Sequence, residues 1–456
     1  MNQNHFEYVV IGGGIAGLAI AEIFARSGGK VLLIEKNAKI CQEASAAQHG
    51  WFHFGSLYSI FPQSHFLKAL LLGVEDLLAY YSGFSGMNAE IVDDGKLVFL
   101  EKDNAWFRNE RINYIVSARN NQDFGLKSFS GVIDYIKKIA MVIGWEAAIK
   151  QFISRHQRFE NHNWSSGVTA SEWIPRAGFG DYSKSVIQKP SNPNINLDIN
   201  THFAIQGYDR PMNSSKIVED LAKSYLAAGG QILVNAEVDH VGSLCQGFRA
   251  INLKDGRVFY ADTVISSAGR WSKQFLNSKN EVKVVASPLL VVYPKLTNQN
   301  FVRMSPYIKK TINHICHSID GHDYSLVGGG YYASPNRQEE LIEAVEGLNH
   351  MAKIVFPDII NRQYVDSYMG YKTEIVSKFG ERDYQYKISE IDQGYYAVIP
   401  GKFSLAFALA VNLYKKVKRK DPEKMCIEHQ GNDAEKYIDT TKHGQLVRNY
   451  LDKKNH

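Results

Sequence analysis

The chain has 456 residues, 45% hydrophobic and 22% charged, with 36 Gly, 12 Pro and a net charge of +5. That length suits two domains better than one core, and the composition excludes collagen-like and largely disordered chains. The mild positive charge favours anionic ligands, but no basic-aromatic nucleic-acid motif accompanies it, so no nucleic-acid partner is expected.

The first residues, Met1 to Glu7, are polar, and no later apolar run reaches the roughly 18 to 20 residues of a bilayer span. Neither a signal peptide nor a transmembrane helix is expected. Tyr8 to Ile11 then form a short apolar run, followed by Gly12-Gly13-Gly14-Ile15-Ala16-Gly17 and an apolar-periodic stretch to Ala25. The pattern predicts strand, tight turn and helix. Ser27-Gly28-Gly29 stops the helix, and Val31 to Ile34 read as a second buried strand ending in Glu35. This βαβ unit implies a parallel sheet.

The turn has the spacing of a dinucleotide fingerprint. Gly12 allows the sharp turn, Gly14 lets backbone approach a pyrophosphate, and Gly17 allows the helix to pack closely on the sheet. The start of the helix, at Ile15 and Ala16, offers N–H donors and positive potential to the phosphates. Glu35 stands where a carboxylate can accept hydrogen bonds from a ribose diol.

Beyond Glu35 a connector from Lys36 to Ser45 leads into Ala46-Ala47-Gln48-His49-Gly50-Trp51-Phe52-His53-Phe54-Gly55. Alternation along a strand puts His49, Trp51 and His53 on one face. The two histidines are spaced as in metal-binding helices, but no third ligand accompanies them, so no metal is expected.

Farther on, an irregular block holds the loop-like Lys189-Pro190-Ser191-Asn192-Pro193-Asn194. Lys216 to Ala228 read as a helix stopped by Gly229-Gly230, and Gln231 to Val234 and Ala236 to Val241 as strand. Asp255-Gly256 predicts a hairpin turn before a strand from Arg257 to Ser266, which runs into Ala268-Gly269-Arg270-Trp271-Ser272. A second irregular block contains Arg303 and, beside Gly328-Gly329-Gly330, Tyr331 and Tyr332, with strand candidates Leu289 to Tyr293 and Tyr324 to Val327. Near the end, Tyr396 to Ile399, then Pro400-Gly401-Lys402-Phe403-Ser404, precede a helical stretch from Leu405 to Leu413. After Val411 the chain turns charged and is read as a surface helix and tail. Its run Lys415-Lys416-Val417-Lys418-Arg419-Lys420 is read as a solvated helix end, with weak contact to an anionic membrane surface as the alternative. Cys41, Cys245, Cys316 and Cys426 are far apart and form no C-x-x-C pair, which fits a reducing cytoplasm rather than a zinc or disulfide framework.

Taken together, the glycine turn and the His53-Phe54-Gly55 segment resemble the D-amino-acid oxidase superfamily of flavoproteins, nearest its L-2-hydroxyglutarate and glycerol-3-phosphate dehydrogenase branch. The resemblance implies an α/β fold, with a Rossmann-type FAD-binding domain interleaved with a mixed α+β substrate domain. The expected segments are 1–91, 201–286 and 370–414 for FAD, 92–200 and 287–369 for substrate, and 415–456 as a tail. It further implies FAD contacts from Gly12, Gly14, Ile15, Ala16, Gly17, Glu35, Lys36, Ser45, Ala46, Gln48, His49 and Gly50. Later contacts are expected from Val238, at the adenine, and from Ala268, Gly269 and Trp271. Gly401, Lys402, Phe403 and Ser404 are expected to close over the flavin.

His53 is expected to act as a general base or substrate anchor, its ordinary pKa of about 6.5 suiting proton abstraction. Many relatives carry a G-x-R motif whose arginine clamps a substrate carboxylate; here the stretch reads Gly370-Tyr371-Lys372. Lys372 lacks the planar fork, which argues against an ordinary α-amino acid while leaving anion binding open. Arg303, Tyr331 and Tyr332 are further candidates for the substrate pocket. The implied reaction is hydride transfer from a C–H bond beside an amine or hydroxyl of a small anionic substrate to the flavin, with oxygen or a quinone as the electron acceptor. The alternatives are an NAD(P)H-dependent flavin monooxygenase or halogenase, of which Glu172-Trp173-Ile174-Pro175 would be a fragmentary motif, and a non-catalytic FAD-binding protein.

Overall fold

A computed structural model describes residues 4–60, 64–91, 97–100, 104–117, 202–276, 282–305, 308–376, 382–425 and 433–455, with a few isolated positions besides. The segments 172–175 and 189–194, and Cys426, lie outside the described residues.

The chain opens with β1 (His5–Ile11), α1 (Ile15–Arg26) and β2 (Val31–Ile34). After β3 (Trp51–Phe52) and α2 (Ser64–Tyr81) come β4 (Asn113–Ser117), β5 (His202–Gln206), β6 (Arg210–Pro211) and α3 (Ser214–Ala227). Strands β7 (Gln231–Leu233), β8 (Val238–Val241), β9 (Arg249–Leu253) and β10 (Val258–Ser266) follow. Next are β11 (Val282–Tyr293), β12 (Phe301–Met304), β13 (Ile312–Ile319), β14 (His322–Gly329), α4 (Gln338–Val355) and β15 (Tyr364–Val376). The last elements are β16 (Arg382–Asp383), β17 (Lys387–Asp392), β18 (Tyr395–Ile399), α5 (Ala406–Lys418) and α6 (Lys442–Asn455).

The first sheet runs β8-β9-β10-β1-β2-β7, with β18 pairing on β10 and β17 on β18. At its centre β1 is parallel to both β2 and β10. Its apolar run is buried on both faces, as a parallel strand covered by helices must be. Residues Ile15 to Ala25 of α1 are all buried, packed against α3 and α5. Gly17 makes this seating possible, because a Cβ there would stand 1.9 Å from the Gly12 carbonyl oxygen.

The second sheet runs β16-β15-β11-β14-β13-β12-β4-β5, with α4 across one face. Its strands cross the segment limits expected from sequence. β5 pairs with β4 here rather than joining the first sheet, and β15 is one strand through Gly370, paired from Tyr364 to Ile375 with β11. Both depend on pairing between segments far apart in the chain, which local periodicity does not encode.

The charged C-terminus also differs from a simple tail. α6 packs on β11, β13 and β15, burying Val447 and His443. The basic run ends α5, where cations favour the helix dipole. Lys415 bonds Asp421 at 3.1 Å, Lys416 stands 3.5 Å from Glu390, and Lys418 sits over the Tyr8 ring. Among the described residues no helix is long and apolar enough to cross a membrane.

Candidate functional site

The glycine turn lies between the C-terminal ends of β1, β2 and β10. Gly12 has φ +101°, and a Cβ on it would meet the Ser267 carbonyl oxygen at 2.5 Å, so the second turn, Ser267 to Gly269, abuts the first. Beside Gly14 a Cβ would find only the Ser45 hydroxyl, at 3.5 Å. Ser45 Oγ accepts a hydrogen bond from the Ile15 amide, so the connector after β2 is held at the helix start. Ala46 and Ala47 amides both donate to the Glu43 carbonyl, and Ala46 in turn accepts from the Lys442 amide of the C-terminal segment.

Glu35 is buried at the end of β2 and accepts from the Gly13 amide at 2.7 Å and the Asn37 amide at 2.9 Å. Burial pushes its pKa up, against these two amide bonds. Lys36 lies 3.1 Å over the Trp271 ring, and Arg270, also over Trp271, bonds Glu43. Amides of Asn235 and Ala236 donate to the Asn37 and Glu35 carbonyls, which brings Val238 to the same edge.

Gln48 donates to Ser214 Oγ at 2.6 Å. Gly50 has φ +81°, and a Cβ there would strike the His317 ring. Among the described residues, both ring nitrogens of His49, and Ser404 Oγ just before α5, are buried without a hydrogen-bond partner. Such atoms cost free energy unless a ligand satisfies them. Together with the open space at Gly14 and the buried Glu35, they fit an FAD laid from β2 to the start of α5. Phe403 is half-buried and packs against the core beside α5.

His53 follows β3, which is only two residues long, yet the alternation holds. The His49 and Trp51 ring centroids are 6.3 Å apart and those of Trp51 and His53 4.5 Å. Around His53 gathers a polar cluster from several elements. The Tyr58 ring meets His53 edge-on at 5.2 Å. Lys402 Nζ lies 4.4 Å from the Tyr58 ring centre and 4.6 Å from that of Tyr384. Arg382 stacks on Tyr384 and bonds Glu374 at 2.9 Å. Lys372 Nζ is 5.4 Å from the Tyr332 ring centre.

Burial together with the Arg382 charge lowers Lys372 to about 8 and holds Lys402 well below the ordinary lysine value. Burial also depresses His53, with Lys402 and Arg382 adding to it and Asp209 opposing it. Gly370 lies on the Lys372 face of β15, where a Cβ would stand 2.8 Å from the Ala47 carbonyl oxygen. The sheet and the cofactor-side connector therefore touch there.

Two expected pocket residues lie elsewhere. Val302 and Met304 pack with Trp51, so alternation turns Arg303 to the other face of β12, opposite Ile312 and on the α4 side. Tyr331 packs in that same core under α4. Arg382, Glu374, Tyr58, Tyr384 and Asp209 were not singled out from sequence, because no local motif marks them. A cavity of about 1100 Å³ lies apart from this cluster, lined by Arg108, Ser214, His317 and His443 among others.

The family described as "DAO: FAD dependent oxidoreductase" matches residues 7–398. No curated protein sequence matches the chain. Among solved structures, the chain is similar to dithionite-reduced L-alpha-glycerophosphate oxidase from Mycoplasma pneumoniae with FAD bound. The identity is 16% and the TM-score 0.60, covering 94% of this chain and 98% of that one. It is similar too to L-proline dehydrogenase from P. horikoshii, at 14% identity and TM-score 0.58, covering 98% of this chain and 99% of that one. Glycine oxidase from Geobacillus kaustophilus shares 15% identity at TM-score 0.56, covering 92% of this chain and 97% of that one. At these identities the likeness is one of fold.

Proposed function

The chain belongs to the DAO family of FAD-dependent oxidoreductases, and from that premise we propose that it oxidises a small anionic substrate at a C–H bond beside a hydroxyl or amine. One observation carries this reading: Lys372, Arg382 and Lys402 gather in the cluster around His53, whose carboxylates are Glu374, bound to Arg382, and Asp209, enclosed by the Tyr114 hydroxyl and the amides of the loop after His53. An excess of cations in a low-dielectric site attracts an anion strongly. The same excess favours a hydroxyl over an ammonium, since no free carboxylate among the described residues of the cluster would receive a second cation.

Bound FAD supplies the acceptor for the hydride, at its N5. The protein's part is to hold the anionic group with Lys372 and Arg382 and to take the hydroxyl proton on His53 as the C–H bond gives up its hydride and a carbonyl forms. Burial keeps His53 neutral and therefore ready to accept that proton. Gly12, Gly14, Ile15, Ala16, Gly17, Glu35, Lys36, Ser45, Ala46, Gln48, His49, Gly50, Val238, Ala268, Gly269, Trp271, Gly401, Lys402, Phe403 and Ser404 are proposed to line the cofactor. Lys402 also stands near enough to the cluster to face the substrate. Oxygen or a quinone would serve as the final electron acceptor.

The test is an anaerobic screen of 2-hydroxy acids, glycerol-3-phosphate and amino acids against the holoenzyme, without NAD(P)H. Bleaching of the flavin by an anionic hydroxy compound supports the reading. Bleaching by NAD(P)H alone would instead indicate a monooxygenase.

A further inference from the structure

Asp209 lies just before β6 and is 0% exposed. A buried carboxylate is costly unless its oxygens are satisfied. Here Oδ1 accepts from the amides of Phe54 at 2.7 Å, Gly55 at 3.1 Å and Ser56 at 3.2 Å. Oδ2 accepts from the Tyr114 hydroxyl at 2.5 Å and the Leu57 amide at 3.4 Å, and stands 3.4 Å from His53 Nδ1. One side chain thus holds the whole loop that follows His53, and also the His53 ring.

We infer that Asp209 is a positioning residue for His53: it accepts the Nδ1 proton, fixes that tautomer, and leaves Nε2 as the nitrogen free to take a proton from substrate. The inference deepens the proposed role of His53 and rests on it. Three observations support it. The five donors other than His53 satisfy the loop and Tyr114, but they are neutral, so His53 is the one ion-pair partner of Asp209 among the described residues. The loop amides hold the carboxylate in place, so it cannot turn away from the ring. The charged groups facing His53 otherwise work against its protonation, since Lys402 and Arg382 both repel an imidazolium.

The bookkeeping of the proton is simple. In the resting state it sits on Nδ1, toward Asp209. As the substrate hydroxyl gives its proton to Nε2 and its carbon loses a hydride, for which bound FAD would be the acceptor, the ring becomes imidazolium. The fixed carboxylate then stabilises that charge, and the Nδ1 bond becomes charge-assisted and shorter. An asparagine at 209 still offers a carbonyl oxygen to the loop amides, but it presents an NH2 group to Nδ1. That reverses the tautomer with little change in shape.

The experiment is 15N NMR of the FAD-loaded protein with ring-labelled histidine, His53 being identified by the signals lost in His53→Ala. The expected wild-type spectrum shows Nδ1 protonated and Nε2 bare. Asp209→Asn is expected to move the proton to Nε2 and to lower the His53 pKa by about one to three units. Tyr114→Phe, which removes a donor to the same carboxylate without touching His53, is expected to leave the tautomer unchanged. A wild-type ring protonated on Nε2 overturns the inference, and so does an Asp209→Asn spectrum with unaltered tautomer and pKa. Should Asp209→Asn not fold, the wild-type spectrum decides alone. The role of His53 in the reaction is judged separately, by the rate of anaerobic flavin reduction in His53→Ala, so the two readings can fail independently.

Discussion

Tyr324 of β14 and His443 of α6 share a hydrogen bond of 2.6 Å between two buried side chains. It joins the C-terminal segment to the second sheet, and the same segment holds the cofactor-side connector through the Lys442 amide and the Tyr437 carbonyl, which bond Ala46 and Ile40. Tyr324→Phe should therefore destabilise the protein by about 0.5 to 1.5 kcal/mol, the net worth of one buried hydrogen bond, since Thr441 Oγ1 still stands 3.2 Å from His443 Nδ1. Urea unfolding would measure it, and a midpoint equal to wild type would show that the bond contributes nothing.

Acid should weaken the fold through its buried histidines. Burial lowers His443 to about 3 and His314 to about 4, so both bind a proton less readily folded than unfolded. Their contribution is complete above the unfolded value of about 6.5 and is lost as pH falls from there toward the folded values, at up to about 1.4 kcal/mol per pH unit for each. Thermal melts between pH 7 and 4 should show a falling midpoint, shallower in His443→Gln.

Purified protein should be yellow and should release FAD on acid precipitation if the cofactor is held noncovalently, as its cradle implies. Glu35→Ala removes a charge-assisted acceptor worth roughly 1.5 to 3 kcal/mol. It also frees the Gly13 and Asn37 amides, so FAD affinity should fall at least tenfold. Fluorescence titration of the apoprotein measures this, and equal affinity would mean that Glu35 does not meet the ribose.

Lys372 should give substrate binding its own pH dependence. With a pKa near 8, it is charged below that value and loses its charge above it, so KM for an anionic substrate should rise as pH passes 8. Arginine stays protonated, so Lys372→Arg should flatten that rise. A KM that is flat with pH in the wild type would place the anion elsewhere.

His53→Ala should slow anaerobic flavin reduction by roughly 10² to 10⁴ while FAD content stays normal, as loss of a general base does. Stopped-flow measurement at saturating substrate, corrected for bound FAD, decides it. A rate within about threefold of wild type would leave His53 a packing residue.

The cofactor half was legible in the sequence because its rules are local. A β1-turn-α1-β2 unit needs glycine wherever backbone approaches backbone, as at Gly12 and Gly17, and those needs fall within a few residues of one another. The period of two along 49–53 likewise set the side on which His53 lies. The second sheet was different. Arg303 has the right charge for an anion, yet strand pairing with β13 turned it toward α4, because a one-residue change of phase moves a side chain to the opposite face. Arg382 and Glu374 meet, and Arg382 joins the charges acting on His53, only because β15 and β16 pair side by side. Asp209 meets His53 across 155 intervening residues, a contact that no spacing in the chain announces. The sequence by itself determined the dinucleotide turn, the acidic end of β2 and the family. Only the tertiary structure decided which charges surround His53, since those contacts come from the packing of strands distant in sequence and not from any local preference of the backbone.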